Sequence, residues 1–388
     1  MPVVTNRRMT GRKVAHLTSV HPALDVRIFQ RECKSLARAG FDVTIIGPHP
    51  ADCVADKVQI KAVPVEKGRI ARSTRAVWRI YREALRINAD LYHFHDPELI
   101  PVGLLLRAAG KTVIYDVHED LPRDIISKPY LPAWSRSLIS RIAGGFESAT
   151  CGFFSALVPV TPFIADRFLP LNKRTVVVSN YPYLQDETGS GAATPYCQRP
   201  LSLAYVGNIT KNRGIREMVF AMGMLPESLA ATLELAGNDL PIDVHPEELR
   251  GHAGWKRIRH HGKLNYADVS SLLEQVRVGL VVIYPTPAFL ESLPVKMFEY
   301  MSAGLPIIAS DFPQWRAIVE DSSCGLLVDP MDPAAIASAM EYLLTHPQEA
   351  EEMGRRGRIA VQTKYNWQTQ ERKLLDLYAE LLEPACAE

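Results

Sequence analysis

The chain has 388 residues, more than one hydrophobic core serves, so two domains are expected. With 47% hydrophobic and 22% charged residues it is neither disordered nor fibrous, and no apolar run approaches the ~20 residues of a membrane span. The net charge of +1 conceals a division: residues 1–180 hold 26 Lys and Arg against 16 Asp and Glu, residues 181–388 hold 18 against 27, so the first half is expected to face something anionic.

In chain order, the first twelve residues lack the apolar stretch of a signal peptide. The six cysteines show no paired spacing, which reads as reduced thiols of a cytoplasmic protein rather than a disulfide frame or zinc site. Residues 13–18 read as a buried strand, 26–40 as a helix stopped by Gly40, and 42–46 as the next strand. Strand 91–95, helix 99–109, strand 112–117, a helical region near 134–155, and strands 156–160 and 175–179 follow. Residues 185–200, rich in Gly, Ser, Thr and Pro, read as a linker. The alternation restarts at 201–207 and continues through helix 214–225, strand 231–237, helix 266–275, strand 278–283, helix 294–303 and strand 306–310. Near-continuous apolar strands separated by helices predict parallel sheets covered on both faces. The expected fold is α/β, two Rossmann-like doubly wound domains facing each other across a cleft. The predicted boundaries are 1–184, a linker 185–200, and 201–366. A final helix within 367–388, with Leu374, Leu375, Tyr378 and Leu381 at helical spacing, is expected to pack back on the first domain.

The segment ESLPVKMFEYMSAGLPIIAS, residues 291–310, carries the chemistry. Glu291 and Glu299 have seven residues between them, with Lys296 inside the interval. Pro294 is suited to the first helical position, which places Ser292 or Leu293 at the cap. A helix N-terminus favours phosphate, and Lys296 shares a face with Glu299 three residues on. Lys296 can reach a phosphate, Glu299 can accept from vicinal hydroxyls, and Glu291 lies further along the ligand. A solvated ion pair is the competing reading, opposed by Met297, Phe298 and Met301, which turn the helix into a core.

This stretch resembles the acidic motif of retaining nucleotide-sugar glycosyltransferases of family 4, with the GT-B fold. The resemblance extends to YVGNITKNRG (205–214), LELAGN (233–238), GLLVDPMDP (325–333) and YNW near the C-terminus. In the first half, TSVHPALDVRIF (18–29), HFHDPEL (93–99) and YDVHEDLP (115–122) look like a bacterial polysaccharide branch of that family. There are departures. The loop 20–25 lacks the family's Gly-rich pair, Asn208 stands where Arg is usual, Arg213 replaces a common Lys, and the Leu-Pro between the glutamates is displaced.

The resemblance implies that Glu299 binds the ribose and Glu291 the donor-sugar hydroxyls. Arg213, with Lys296, neutralises the diphosphate, beside Gly207, Asn208, Ser292 and Leu293. His118, Glu291 and Arg213 are the implied catalytic group, with His118 beside the donor sugar. His21, Glu119 and Asp120 are expected on the acceptor side; from the residues themselves, Glu119 or Asp120 could equally cap the next helix. His95 and Asp96 read as turn structure. His260 and His261, without further partners, are weak as metal ligands and are expected in a loop near the base. No metal or other cofactor is expected: the cations and helix dipole serve the diphosphate, and the sequence has no DxD run.

One surface feature is distinct. Arg72, Arg75, Arg79, Arg82 and Arg86 form a helical stripe bordered by Trp78 and Leu85, with Val77, Ile80, Tyr81 and Ala84 opposite. This pattern suits an anionic membrane surface or a solvated face. A second contact is expected from 130–146, with Trp134, Arg136 and Arg141. Nucleic acid is not an expected partner, because stacking motifs are missing. The expected activity is transfer of a sugar from a nucleotide-diphosphate donor to a glycan or polyprenyl-diphosphate-linked acceptor in bacterial exopolysaccharide, capsule or lipopolysaccharide assembly. The expected location is cytoplasmic, at the inner face of the plasma membrane. A GT-B epimerase would need acid–base groups in the second domain, where no clear set is visible. A non-catalytic partner is disfavoured by the presence of Glu299 and Arg213.

Overall fold

The computed structural model describes residues 10–66, 68, 72–127, 131–184 and 194–383. The chain forms two compact units, Met1–Asn180 with Trp367–Glu388, and Tyr181–Asn366. Most of the predicted linker, 185–193, lies outside the described residues.

The first unit holds seven strands: β1 (Lys13–Leu17), β2 (Asp42–Pro48), β3 (Cys53–Ala55), β4 (Val58–Val63), β5 (Leu91–Phe94), β6 (Thr112–Val117) and β7 (Ala156–Pro159). Their order is β3-β4-β2-β1-β5-β6-β7, parallel throughout except for the β3–β4 pair. Every residue of β5 and β7 is buried, as strands covered on both faces must be. Phe94 stacks on Tyr115 with ring centroids 4.6 Å apart. The helix Ile100–Ala108 lies close over this pair because Gly103 has no side chain; a Cβ there would sit 2.7 Å from the Phe94 ring. Asp25 caps the wide π-type helix Val26–Cys33 by accepting from the Arg27 and Ile28 amides.

The second unit holds β8 (Ser202–Val206), β9 (Thr232–Ala236), β10 (Ile258–Gly262), β11 (Val278–Val281), β12 (Ile307–Ser310) and β13 (Gly325–Val328). The order is β10-β9-β8-β11-β12-β13, all parallel. In both sheets the strand order reverses beside the first strand, between β1 and β5 and between β8 and β11. Doubly wound sheets bind ligands at the carboxyl ends of such strands.

The sequence reading and the structure differ in places with physical reasons. Residues 175–179 do not form a strand; they run beside β7 with one bridge, Thr175 to Leu157. The strands β3, β4 and β10 escape the apolar-run criterion because exposed polar positions such as Gln59, Arg259 and His260 interrupt them, and β3 and β10 are sheet edges. Pro294 precedes its helix, with φ −72° and ψ 125°, and the helix begins at Val295. Proline fixes φ but leaves ψ free to stay extended.

The last helix, Trp367–Leu382, belongs to the first unit. Its buried stripe runs through Trp367, Gln370, Leu374, Leu377 and Tyr378, so Leu377 rather than Leu375 lines the contact. Trp367 Nε1 donates to Ser35 Oγ at 2.9 Å, and the Ser179 amide donates to Gln370 Oε1 at 3.1 Å. The Trp367→Ala variant should lose about 3–5 kcal/mol from the first unit, as buried aromatic truncations do. Urea titration followed by far-UV circular dichroism measures this; an unmoved midpoint would show that the returning helix adds nothing.

Candidate functional site

In the second unit, the site is built at the end of β8. The Val206 amide donates to Tyr300 Oη at 2.8 Å, tying the helix Val295–Ser302 to that strand. Tyr300 can approach because residue 279 is glycine; a Cβ there would lie 2.4 Å from its ring. One turn earlier on the helix, Lys296 is carried to the strand end, its Nζ 3.7 Å from the Tyr205 ring centroid. Gly207 lies beneath it with φ 128°, and a Cβ on Gly207 would be 3.0 Å from Lys296 Nζ and 4.0 Å from Arg213 Nη1. Glycine is required twice here, by the backbone and by the cations.

Lys296 is 8% exposed, and among the described residues its Nζ has no hydrogen-bond partner. Burial and then the Arg213 guanidinium push its ammonium well below the usual lysine range, against the raising effect of Glu299. The cation–π contact with Tyr205 offsets only part of that cost. A buried lysine and an arginine converging over one glycine can receive an anion. The loop that presents them is pinned. Ile209 N donates to Asn238 Oδ1 at 2.7 Å, and Tyr205 Oη donates to the Asn208 carbonyl at 2.7 Å. Arg213 ends a short turn, Lys211–Arg213, before Gly214 at φ 62° starts the helix Ile215–Met224.

The two glutamates flank this point. Glu299 is half-buried on the helix that carries Lys296. Glu291, in the preceding turn, accepts from Gln314 Nε2 at 2.9 Å. The Ser292 carbonyl accepts from Trp315 Nε1 at 2.6 Å, and Leu293 packs on the cluster that contains Met297 and Phe298.

In the first unit, the ends of β1 and β5 are joined by Asp96, which sequence reading assigned to turn structure. The turn is present, as Pro97–Leu99, but the buried carboxylate does more. Asp96 Oδ2 accepts from Thr18 Oγ1 at 2.8 Å, Ser19 N at 2.6 Å and Val20 N at 3.3 Å. That fixes the loop carrying His21, whose Nε2 lies 3.5 Å from Asp96 Oδ1 and 3.0 Å from His118 Nε2. His118 follows β6. Burial, with His21 beside it, pushes its imidazole down to about 4, so it is neutral at pH 7. Asp120 accepts from the Arg123 amide at 3.3 Å, capping the helix Leu121–Ser127, and lies 3.4 Å from Arg167. Glu119 is exposed. The sequence signal for Asp96 was its place after a strand; the Asp-Pro dipeptide hid it.

Elsewhere, His260 and His261 occupy β10 rather than a loop, and His261 Nε2 lies 2.7 Å from Glu234 Oε2. On the helix Val77–Ile87, Trp78, Arg79, Arg82 and Arg86 are exposed while Ile80 and Ala84 are buried. Arg75 is exposed on the preceding turn Arg72–Ala76; the Arg72 side chain lies outside what is described. Arg79 pairs with Glu66, and Arg86 with Glu83. In the second apolar segment, Trp134, Leu138 and Ile142 are exposed along the helix Ala133–Cys151.

Residues 26–181 match the family model described as Glycosyltransferase Family 4, and residues 200–346 match that described as Glycosyl transferases group 1. The chain is 25% identical over 302 residues to D-rhamnosyltransferase WbpZ of Pseudomonas aeruginosa, covering 72% of this chain and 70% of that one. It is 24% identical over 311 residues to GDP-mannose:cellobiosyl-diphosphopolyprenol alpha-mannosyltransferase of Xanthomonas oryzae pv. oryzae, covering 77% of this chain and 76% of that one. Among solved structures, Anabaena Alr3699/HepE in complex with UDP-glucose superposes with a TM-score of 0.69 at 13% identity, over 95% of this chain and 99% of that one. At that identity the likeness is one of fold.

Because Asp96 gathers residues 18–20 to the end of β5 through one oxygen, Asp96→Ala should destabilise the first unit by about 3 kcal/mol, and Asp96→Asn, which keeps an acceptor, by less. Equal urea midpoints for the two variants would refute the anchoring role of the carboxylate oxygen.

Proposed function

Since the chain belongs to glycosyltransferase family 4 and has the GT-B fold, we propose that it is a retaining, metal-independent glycosyltransferase using a nucleoside-diphosphate-sugar donor. The observation that carries this reading is the buried Lys296 ammonium beside Arg213 over bare Gly207. A diphosphate supplies the charge that this pair lacks, and its arrival raises Lys296 back toward its ordinary state. Asn208 in the loop after β8, and Ser292 and Leu293 just before the helix Val295–Ser302, lie on the same side, where a helix start favours an anion.

The reaction breaks the bond between the sugar anomeric carbon and the diphosphate oxygen. The acceptor hydroxyl attacks on the same face, its oxygen bonds to that carbon, and its proton passes to a donor phosphate oxygen. Negative charge grows on the departing diphosphate, where Lys296, Arg213 and the helix dipole already stand. Glu299 holds the ribose hydroxyls, and Glu291, oriented by Gln314, holds those of the donor sugar. His118, neutral at working pH, serves as a hydrogen-bonding group for the donor sugar rather than a fixed cation.

The first unit takes the acceptor, with His21, Glu119 and Asp120 on that side. The acceptor is a glycan or a polyprenyl-diphosphate-linked sugar of bacterial polysaccharide assembly. The relative whose name includes cellobiosyl-diphosphopolyprenol supports this class. No helix among the described residues is long and apolar enough to cross a membrane. Contact with an anionic inner leaflet is assigned to Arg75, Trp78, Arg79, Arg82 and Arg86, with Arg72 at the start of the stripe and Trp134 as a second contact. The enzyme then works at the cytoplasmic face.

Incubation with a panel of radiolabelled nucleotide sugars, with and without EDTA, tests the reaction. Chelator-insensitive transfer or slow donor hydrolysis is expected, with the anomeric configuration kept in the product. Glu299→Ala should weaken nucleoside-diphosphate binding tenfold or more, about 1.4 kcal/mol or above by calorimetry, and Lys296→Met should weaken diphosphate binding while leaving nucleoside binding nearly unchanged. Unaltered affinities in both variants would remove these residues from the donor site. Replacing Arg75, Arg79 and Arg82 together by Ser should reduce co-sedimentation with vesicles containing phosphatidylglycerol at 0.1 M salt; equal pelleting would reject the membrane helix.

A further inference from the structure

Four side chains that the proposed reaction does not use meet inside the first unit. They are His16 on β1, Glu32 on the helix Val26–Cys33, His93 on β5 and His95 just beyond it, each 0% exposed. Glu32 Oε2 lies 3.8 Å from His16 Nδ1, 3.8 Å from His93 Nδ1 and 4.0 Å from His95 Nε2. The three imidazole centroids are 4.8, 4.9 and 5.1 Å apart. One ligand atom from each of the four residues falls within 4.8 Å of all the others.

The hydrogen bonds around this cluster can be assigned in sequence. Both oxygens of Asp116 accept from the Arg27 guanidinium fork, at 2.9 and 2.8 Å. A carboxylate only accepts, so His95 Nδ1 donates to it at 2.7 Å. His95 Nε2 then faces His16 Nδ1, 2.9 Å away. Two nitrogen lone pairs cannot face each other at that distance; a proton or a cation must stand between them. If His16 Nδ1 carries the proton, Tyr378 Oη donates to His16 Nε2 at 3.2 Å and His93 Nδ1 donates to Tyr378 Oη at 2.8 Å. That arrangement leaves His93 Nε2 with no partner among the described residues, and leaves Glu32 beside the Asp116 carboxyl with no well-formed hydrogen bond to either oxygen. Arg27 Nε comes within 3.1 Å of Glu32 Oε1, but its single N–H is directed to Asp116 Oδ2 at 2.9 Å. A buried carboxyl with neither oxygen bonded is costly.

We propose that His16, Glu32, His93 and His95 bind a divalent transition-metal ion, Zn2+ by the chemistry of the donor set, as a structural site. Imidazole and carboxylate donors in a closed, four-ligand cluster suit zinc, and the absence of an exposed face suits a structural role. Ligand atoms on a tetrahedral zinc are roughly 3.3–3.4 Å apart, so the present separations, from 2.9 Å up to a limit of 4.8 Å, would close in around the ion. Asp116 behind His95 and Tyr378 behind His16 are the outer partners that fix ring orientation in metal sites. The ion would fasten β1, β5 and the helix Val26–Cys33 together and, through Tyr378, hold the returning C-terminal helix. It is separate from the donor residues of the second unit and independent of the reading of the reaction.

The test uses the untagged full chain, produced in zinc-supplemented medium and gel-filtered. Mass spectrometry of the digested protein should give close to one zinc per chain. Stripping the metal with a chelator should lower the melting temperature by several degrees, and Zn2+ should restore it. Co2+ added to the stripped chain should give visible bands of tetrahedral intensity. These should be lost in Glu32→Gln and His93→Phe and kept in His261→Ala. A wild-type chain with less than about a tenth of an equivalent of any first-row metal and no Co2+ bands overturns the proposal, whatever the variants do. Metal that disappears with His261→Ala instead overturns it as well.

Discussion

A buried ammonium needs a counter-charge, and at Lys296 the lowering effects of burial and of a second cation outweigh the support of Glu299. Arg213 approaches the same point above Gly207, and burial works against the Lys296 ammonium. The geometry that enforces this conflict is inexpensive to build. The Tyr300 hydroxyl fastens the helix to β8, Gly279 lets the ring in, and the helical repeat delivers Lys296 one turn earlier. The strand order sets the location, since β8 is where the second sheet reverses direction. Electrostatic strain of this kind is released by an anionic ligand, so stability is exchanged for affinity at one spot.

The first unit shows the converse arrangement. Its interior polar groups are heavily interconnected. Arg27 binds Asp116 with two nitrogens and also donates to the Val178 carbonyl and Asn180 Oδ1. Asp96 gathers the loop after β1, and through that loop His21 is held against His118. Here carboxylates position histidines, whereas in the second unit Lys296 and Arg213 converge over Gly207 with Glu299 on the helix that carries Lys296. The same doubly wound topology therefore carries two different electrostatic designs.

Much of this was legible in the sequence, and the reasons are specific. Apolar runs such as 112–117 and 156–160 marked buried strands because a parallel sheet covered on both faces needs them. The interval from Glu291 to Glu299, with Lys296 inside it, exposed the charged helix because one helix carries two of the three groups. Long-range pairings were not legible. Asp96 meets Ser19 across 77 positions, and His95 meets His16 across 79, so no spacing announces either contact. Edge strands such as β10 were missed because exposed positions interrupt the apolar pattern, and 175–179 was overestimated because an apolar run beside a sheet need not complete a ladder.

The helix Trp367–Leu382 also has a meaning for biosynthesis. The Trp367 indole that bonds Ser35, and the Tyr378 hydroxyl between His16 and His93, are translated only after the whole intervening unit Tyr181–Asn366, long after the first sheet. The unit Tyr181–Asn366, by contrast, is uninterrupted in the chain. The usual amino-to-carboxyl order of folding during synthesis is thereby reversed in part: the later module can be finished while the earlier one waits for its closing segment.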